Sequence, residues 1–170
     1  IESDLRKRLN VMHKCLLKIN HNKFYQYKEE KGKFNLKKIN EHNQQEIINL
    51  LSEMVKIPSI SSDKDHRDDV DASAQFVENL FADLGLNTQV IKVPGGMPAV
   101  VAHTEIDPDK KTVLLYAHHD VQPVGDISLW NTDPFQPQMI DGRLFGRGSG
   151  DNKSGVVVHY NVIKQLIDEL

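Results

Sequence analysis

The sequence predicts an α/β fold. Three patterns carry that reading: two stretches of helical apolar spacing between residues 41 and 85, short apolar or alternating runs between 89 and 145, and a return to helical spacing from 155 onward. Helices on either side of a set of short strands imply layered helix and sheet.

The elements follow in order. Leu5, Leu9, Met12, Leu16 and Ile19 recur every three or four residues and fit one helix face. Phe24, Tyr25, Tyr27 and Phe34 follow among lysines. Residues 1–40 therefore read as a basic Lys/Asn-rich extension, helical or disordered. From Glu41 the texture changes, and Ile47, Leu50, Leu51, Met54 and Val55 trace an apolar stripe that ends near Pro58. Residues 59–66 form a polar loop. Val70, Ala74, Val77, Leu80, Phe81 and Leu84 give a second amphipathic helix, with Gly85 as its C-cap. Gln89 to Val93 and Ala99 to His103 read as strands around a Pro94-Gly95-Gly96 turn. Thr112 to Ala117 is a continuous apolar run, suited to a strand buried on both faces. Gln138 to Phe145 has Asp141-Gly142 at its centre, the signature of a tight hairpin. Gly146 to Gly150 is a glycine-rich turn, and a helix runs from Gly155 to the end.

The chain has 170 residues, enough for one domain with a core, and its 39% apolar and 26% charged residues are ordinary for a globular protein. No apolar run approaches the roughly 20 residues that span a bilayer, so no membrane partner is expected. Cys15 is the only cysteine, which rules out an intrachain disulfide and is compatible with a reducing, cytoplasmic setting. The chain starts at Ile1 and stops inside a helical pattern, so it reads as a piece of a longer protein. Residues 1–40 carry 11 Lys or Arg against 4 Asp or Glu, whereas residues 41–170 carry 10 against 20. The asymmetry marks two regions, 1–40 and 41–170. Nucleic-acid binding by the basic region is disfavoured, because no recognised binding motif accompanies the charge.

Chemistry concentrates in two polar clusters at strand ends, where α/β sheets place their ligands. The first is Ala117-His118-His119-Asp120; the second is Gly148-Ser149-Gly150-Asp151-Asn152-Lys153. Residues two apart on extended chain point to the same side, so His118 and Asp120 share a face. A neutral imidazole can hold a divalent metal through one nitrogen while a carboxylate fixes the other. That pattern makes His118 a candidate ligand and Asp120 its orienting carboxylate, although a polar strand end is the plainer alternative. His119 points the opposite way and reads as a pocket-edge or packing residue, and His103 and His159 read as structural rather than as ligands. Asp151 is too distant in sequence for any spacing rule, but its two oxygens can bridge two cations, and the small neighbours allow close approach. A phosphate-binding loop fails on pattern: Gly146-Arg147-Gly148-Ser149-Gly150-Asp151 lacks the third glycine of the dinucleotide fingerprint, and no Gly-Lys-Ser/Thr is present.

At these clusters the sequence resembles the zinc-dependent exopeptidase and deacylase family that includes carnosine-type dipeptidases, aminoacylases and acetylornithine deacetylases. The resemblance rests on Leu114-Leu115-Tyr116-Ala117-His118-His119-Asp120-Val121-Gln122-Pro123-Val124 and on Asp141-Gly142-Arg143-Leu144-Phe145-Gly146-Arg147-Gly148-Ser149-Gly150-Asp151-Asn152-Lys153. Trp130, Asp133-Pro134-Phe135 and Ile57-Pro58-Ser59-Ile60-Ser61 also fit. It covers about residues 41–170 and is nearest the dipeptidase branch. Ala117 stands where glycine is commoner, and His119 where that branch often has an aromatic.

The resemblance implies the N-terminal part of a three-layer α/β/α zinc-peptidase domain with a mixed sheet, incomplete here. It implies that His118 ligates one zinc, that Asp151 bridges two, that Asp120 orients His118, and that the Asp151–Asn152 peptide is cis. Cobalt or manganese could replace zinc. The implied activity is hydrolysis of the amide bond of a small peptide by a metal-bridged water, in a full-length homodimer. The Glu-Glu pair that supplies the family's general base, and the remaining ligands, are not among these residues, so the 170 residues alone are expected to be inactive. An N-acyl amino acid deacylase on the same metal core and a non-catalytic interaction protein are the competing readings.

Overall fold

The computed structural model describes residues 25–30, 33–38, 41–109 and 111–168. The helix expected over Leu5 to Ile19 lies outside them. The chain divides into two compact units, Ile1–Gln45 and Glu46–Leu170.

In the first unit, β1 (Tyr25–Glu30) and β2 (Lys33–Lys38) pair antiparallel, with Tyr27 opposite Leu36 and Glu30 opposite Lys33. This corrects the helical-or-disordered expectation for that stretch. The physical signal was present: aromatic Tyr25 and Tyr27 at period two favour a strand. In the sequence, Lys31-Gly32 is a two-residue spacer with glycine between these two runs, which is a hairpin signal.

The second unit is organised around helices α1 (Glu41–Val55, which begins in the first unit), α2 (Arg67–Ala82) and α3 (Lys153–Asp168). The apolar stripes expected from sequence converge here. Met54, Val77, Phe81, Val156 and Val157 are buried together, flanked by Leu50, Leu51, Val100, Ala117 and Tyr160. Phe81 and Tyr160 meet edge to face at 6.1 Å, a favoured aromatic geometry. The last turn of α2 closes through Gly85 N–H to Ala82 O and Leu86 N–H to Phe81 O. These are the two bonds of a Schellman cap.

Strands β3 (Asn87–Ile91) and β4 (Ala99–His103) pair antiparallel and pack on α2. Strands β5 (Gln138–Ile140) and β6 (Arg143–Phe145) form the expected tight hairpin. Asp141 (φ 50) and Gly142 (φ 75) both lie in the left-handed region, which a two-residue primed turn requires. One parallel bridge joins Ile60 to Val121.

The exception is Thr112 to Ala117. This run was expected to be a doubly buried strand, but it carries no strand pairing, and Leu114 and Tyr116 are 87% and 79% exposed. A strand buried on both faces needs neighbours on both edges and a layer on each side. Among the described residues none pairs with it, and only Ala117 at its end packs against the core.

Candidate functional site

The two polar clusters meet. His118 Nε2 lies 3.0 Å from Asp151 Oδ1, although 33 positions separate them. His118 Nδ1 faces Asp120, 3.1 Å from its carbonyl oxygen and 3.2 Å from Oδ1. All three sequence-predicted residues line one cleft of about 290 Å³, together with Val121, Gln122, Arg147, Gly148 and Gly150. Asp151 stands at the mouth, its side chain 91% exposed against 38% for His118.

Electrostatics follow from these contacts. Burial pulls the His118 pKa down, but hydrogen bonds to the Asp120 carbonyl and the Asp151 carboxylate, with both negative charges, outweigh it and leave it raised. Each ring nitrogen faces oxygen acceptors, so the protonated imidazole donates on both sides.

Two protein donors bound to one cation at about 2.1 Å stand roughly 3.0–3.4 Å apart for bond angles near 90–109°. The 3.0 Å between Nε2 and Oδ1 falls within that spacing. The donor set, one imidazole and one carboxylate with a second carboxylate behind the imidazole, suits a zinc-type cation. Among the described residues no group of three or more His, Cys, Asp or Glu is spaced to hold a metal ion.

Three supports place these side chains. His119 faces away from the cleft, as the alternation requires. Its Nε2–H donates to Pro98 O at 3.3 Å, and Nδ1 lies 3.1 Å from Ser73 Oγ. Burial holds its pKa below the usual value. Ser59 Oγ donates to His119 O at 2.8 Å, and Val121 N–H donates to Ser59 O at 2.9 Å. Lys153, 0% exposed, donates from Nζ to Met54 O at 2.7 Å and Ile57 O at 2.6 Å. Burial pulls its pKa down to about 8, against the attraction of Asp120 and Asp69. On the outer side, Arg147 stacks over Trp130 at 5.0 Å and donates to Pro123 O at 2.9 Å. The peptide between Asp151 and Asn152 is cis.

Ser59, Arg147 and Lys153 stand in sequence motifs that do not specify these contacts, and Ser73 stands in none of them. A lysine at the start of an apolar helical stripe was the available signal for Lys153, since lysine is almost never fully buried without partners. His103 and His159 stay out of the cleft. His103 Nδ1–H donates to Thr104 O at 2.8 Å, and His159 is half-buried on α3.

Known proteins share this arrangement of sequence and fold. The profile of peptidase family M20/M25/M40 matches residues 114–170, the stretch holding both clusters. The Cys-Gly metallodipeptidase dug1 of Schizosaccharomyces pombe is 38% identical over 125 residues, covering 66% of this chain and 26% of the relative. A cysteinylglycine-S-conjugate dipeptidase of Corynebacterium striatum is 30% identical over 124 residues, covering 73% of this chain and 27% of the relative. The crystal structure of human carnosine dipeptidase 1 superposes with a TM-score of 0.68 at 28% identity, over 75% of this chain and 29% of that one. The chain thus spans about a quarter of the length of these relatives. With the α/β fold, the paired clusters and these matches in agreement, the chain belongs to peptidase family M20/M25/M40.

Proposed function

We propose that the protein, in its full-length form, is a zinc-dependent dipeptidase, and that this chain supplies one side of its metal centre. The observation that carries the proposal is the 3.0 Å approach of His118 Nε2 to Asp151 Oδ1, with Asp120 behind the imidazole.

His118 would hold one cation through Nε2, and Asp151 would offer its two oxygens to a pair. Bound divalent cations supply Lewis acidity and lower the pKa of water at the site. Asp120 keeps the His118 ring turned so that Nε2 faces the cleft, by accepting a hydrogen bond from Nδ1–H. Ring nitrogen Nε2 must give up its proton to bind a cation, so the hydrogen bond to Asp151 would yield to shared coordination. The chain brings two ligating side chains, and a catalytic zinc takes at least three from protein. The remaining ligands and the general base must therefore come from residues not seen in this cleft.

The relatives named as Cys-Gly and cysteinylglycine-conjugate dipeptidases point to small dipeptides as substrates. The homodimer and the cytoplasmic setting rest on the family resemblance and on the single cysteine. The test is metal analysis with dipeptide and N-acyl amino acid hydrolysis on the full-length protein. His118→Ala and Asp151→Ala are expected to lose bound zinc and dipeptide turnover. Full metal content and activity in both variants would refute the proposal. Preference for acyl amino acids over dipeptides would move it to the deacylase reading.

A further inference from the structure

Both ligand-bearing loops hang on one short stretch of chain, residues 54–60. On one side, Ser59 holds the first loop. Its hydroxyl donates to His119 O at 2.8 Å, its carbonyl accepts Val121 N–H at 2.9 Å, and Ile60 and Val121 form the parallel bridge. His118 and Asp120 are thus flanked by residues tied to Ser59. On the other side, Lys153 lies two positions after Asp151. Its ammonium reaches Met54 O at 2.7 Å and Ile57 O at 2.6 Å, where α1 ends. Carbonyls at a helix end carry partial negative charge, so a cation is favoured there, and the ammonium adds to the Ile57 N–H bond to Met54 O and the Ser59 N–H bond to Ile57 O. Ser59 and Lys153 are each 0% exposed, so water cannot replace either contact; Ser73 Oγ also donates to His119 O, at the longer distance of 3.1 Å.

We propose that this turn is the brace that sets the distance between His118 and Asp151, with Ser59 and Lys153 acting as positioning residues. The inference rests on the metal-centre reading above. Neither residue touches the cleft's reactive atoms; each acts through the backbone that carries a ligand. Ligands held within about 0.5 Å of productive geometry are the condition for tight binding, and that precision comes from surrounding support.

Two variants of the full-length protein test the brace. Ser59→Ala removes one oxygen without filling space, and Lys153→Met keeps the stem but removes the ammonium. Zinc affinity is read by competition with a chromogenic chelator, and ligand geometry by the visible spectrum of the cobalt(II)-loaded protein. Loss of a supporting contact behind a ligand commonly costs about 10- to 100-fold in metal affinity. Ser59→Ala is expected to weaken zinc binding by about that factor and to shift the cobalt bands, with circular dichroism unchanged. Lys153→Met is expected to weaken binding at least as much. A folded Ser59→Ala protein with native affinity and native cobalt bands overturns the brace. His118→Ala separates the two levels of inference. If zinc binding survives His118→Ala, the metal-centre reading itself has failed. If His118→Ala abolishes binding while Ser59→Ala and Lys153→Met leave it intact, only the brace has failed.

Discussion

Replacing Gly148 with alanine strikes the point where the two loops touch. Gly148 has φ +90, and a Cβ built there would lie 2.8 Å from Val121 Cγ1, 3.1 Å from Lys153 Cδ and 3.3 Å from Lys153 Cγ. Two costs add. A left-handed backbone at a residue with a Cβ costs about 1–2 kcal/mol. Crowding a packed site costs about 1–3 kcal/mol more. Against these, alanine restricts the unfolded chain, which offsets roughly 0.4–1 kcal/mol. The net expectation is a loss of about 1–5 kcal/mol in folding stability. Gly150 is the internal control, since a Cβ there meets nothing within 4 Å and its φ is not positive. Urea unfolding of both variants, followed by circular dichroism, makes the comparison. Gly148→Ala should lower the midpoint sharply, and Gly150→Ala should stay within about 0.5 kcal/mol of native. Equal midpoints for the two variants would refute the reasoning, because they would show that neither the backbone at 148 nor the approach of Val121 constrains the loop.

Other perturbations give further checks. Asp120→Asn should keep the fold but weaken zinc binding by about 10-fold or more, measured by chelator competition, because the amide no longer offers a charged acceptor to His118 Nδ1. Trp130→Phe keeps a ring under Arg147 but loses the 2.9 Å bond from Nε1 to Val124 O. Its expected cost is about 1 kcal/mol, read by urea titration with circular dichroism. Met54→Ala, at a side chain 1% exposed, should cost about 2–5 kcal/mol in the same assay. Burial lowers the His159 pKa from 6.5 in the folded protein. The unfolded chain therefore binds more protons in the window below pH 6.5, so this contribution to stability is present above it and is lost as pH falls through it. His159→Gln should flatten the decline in stability between about pH 7 and 5, and an unchanged slope would count against the assignment.

Much of this architecture was legible in sequence because it is local. The spacing of Val70, Ala74, Val77 and Phe81 fixes a helix face without reference to anything distant. Asp141-Gly142 specifies its own turn. The common direction of His118 and Asp120 follows from the pleat of extended chain, as does the inward turn of His119. Pairing between distant segments was not legible. Thr112 to Ala117 has the composition of a central strand, but composition cannot supply the neighbours that a central strand requires. In Tyr25 to Lys38 the lysines masked an alternation that was there to be read. The meeting of His118 with Asp151 had no spacing rule behind it and came only from the family resemblance. Lys153 was invisible as a support because burying an ammonium is favourable only when particular carbonyls await it, and those belong to a helix end almost a hundred residues earlier.

The chain carries two adjacent histidines that look outward and inward by turns, and this makes the reading frame of the segment matter. A slip of one position would still present an imidazole to the cleft, that of His119. The residue two places on would then be Val121, not Asp120, and the ring would lose its carboxylate. His118 would meanwhile be driven toward Pro98 and Ser73. A frame error here would leave a centre that contains the right kind of donor and lacks the partner that orients it.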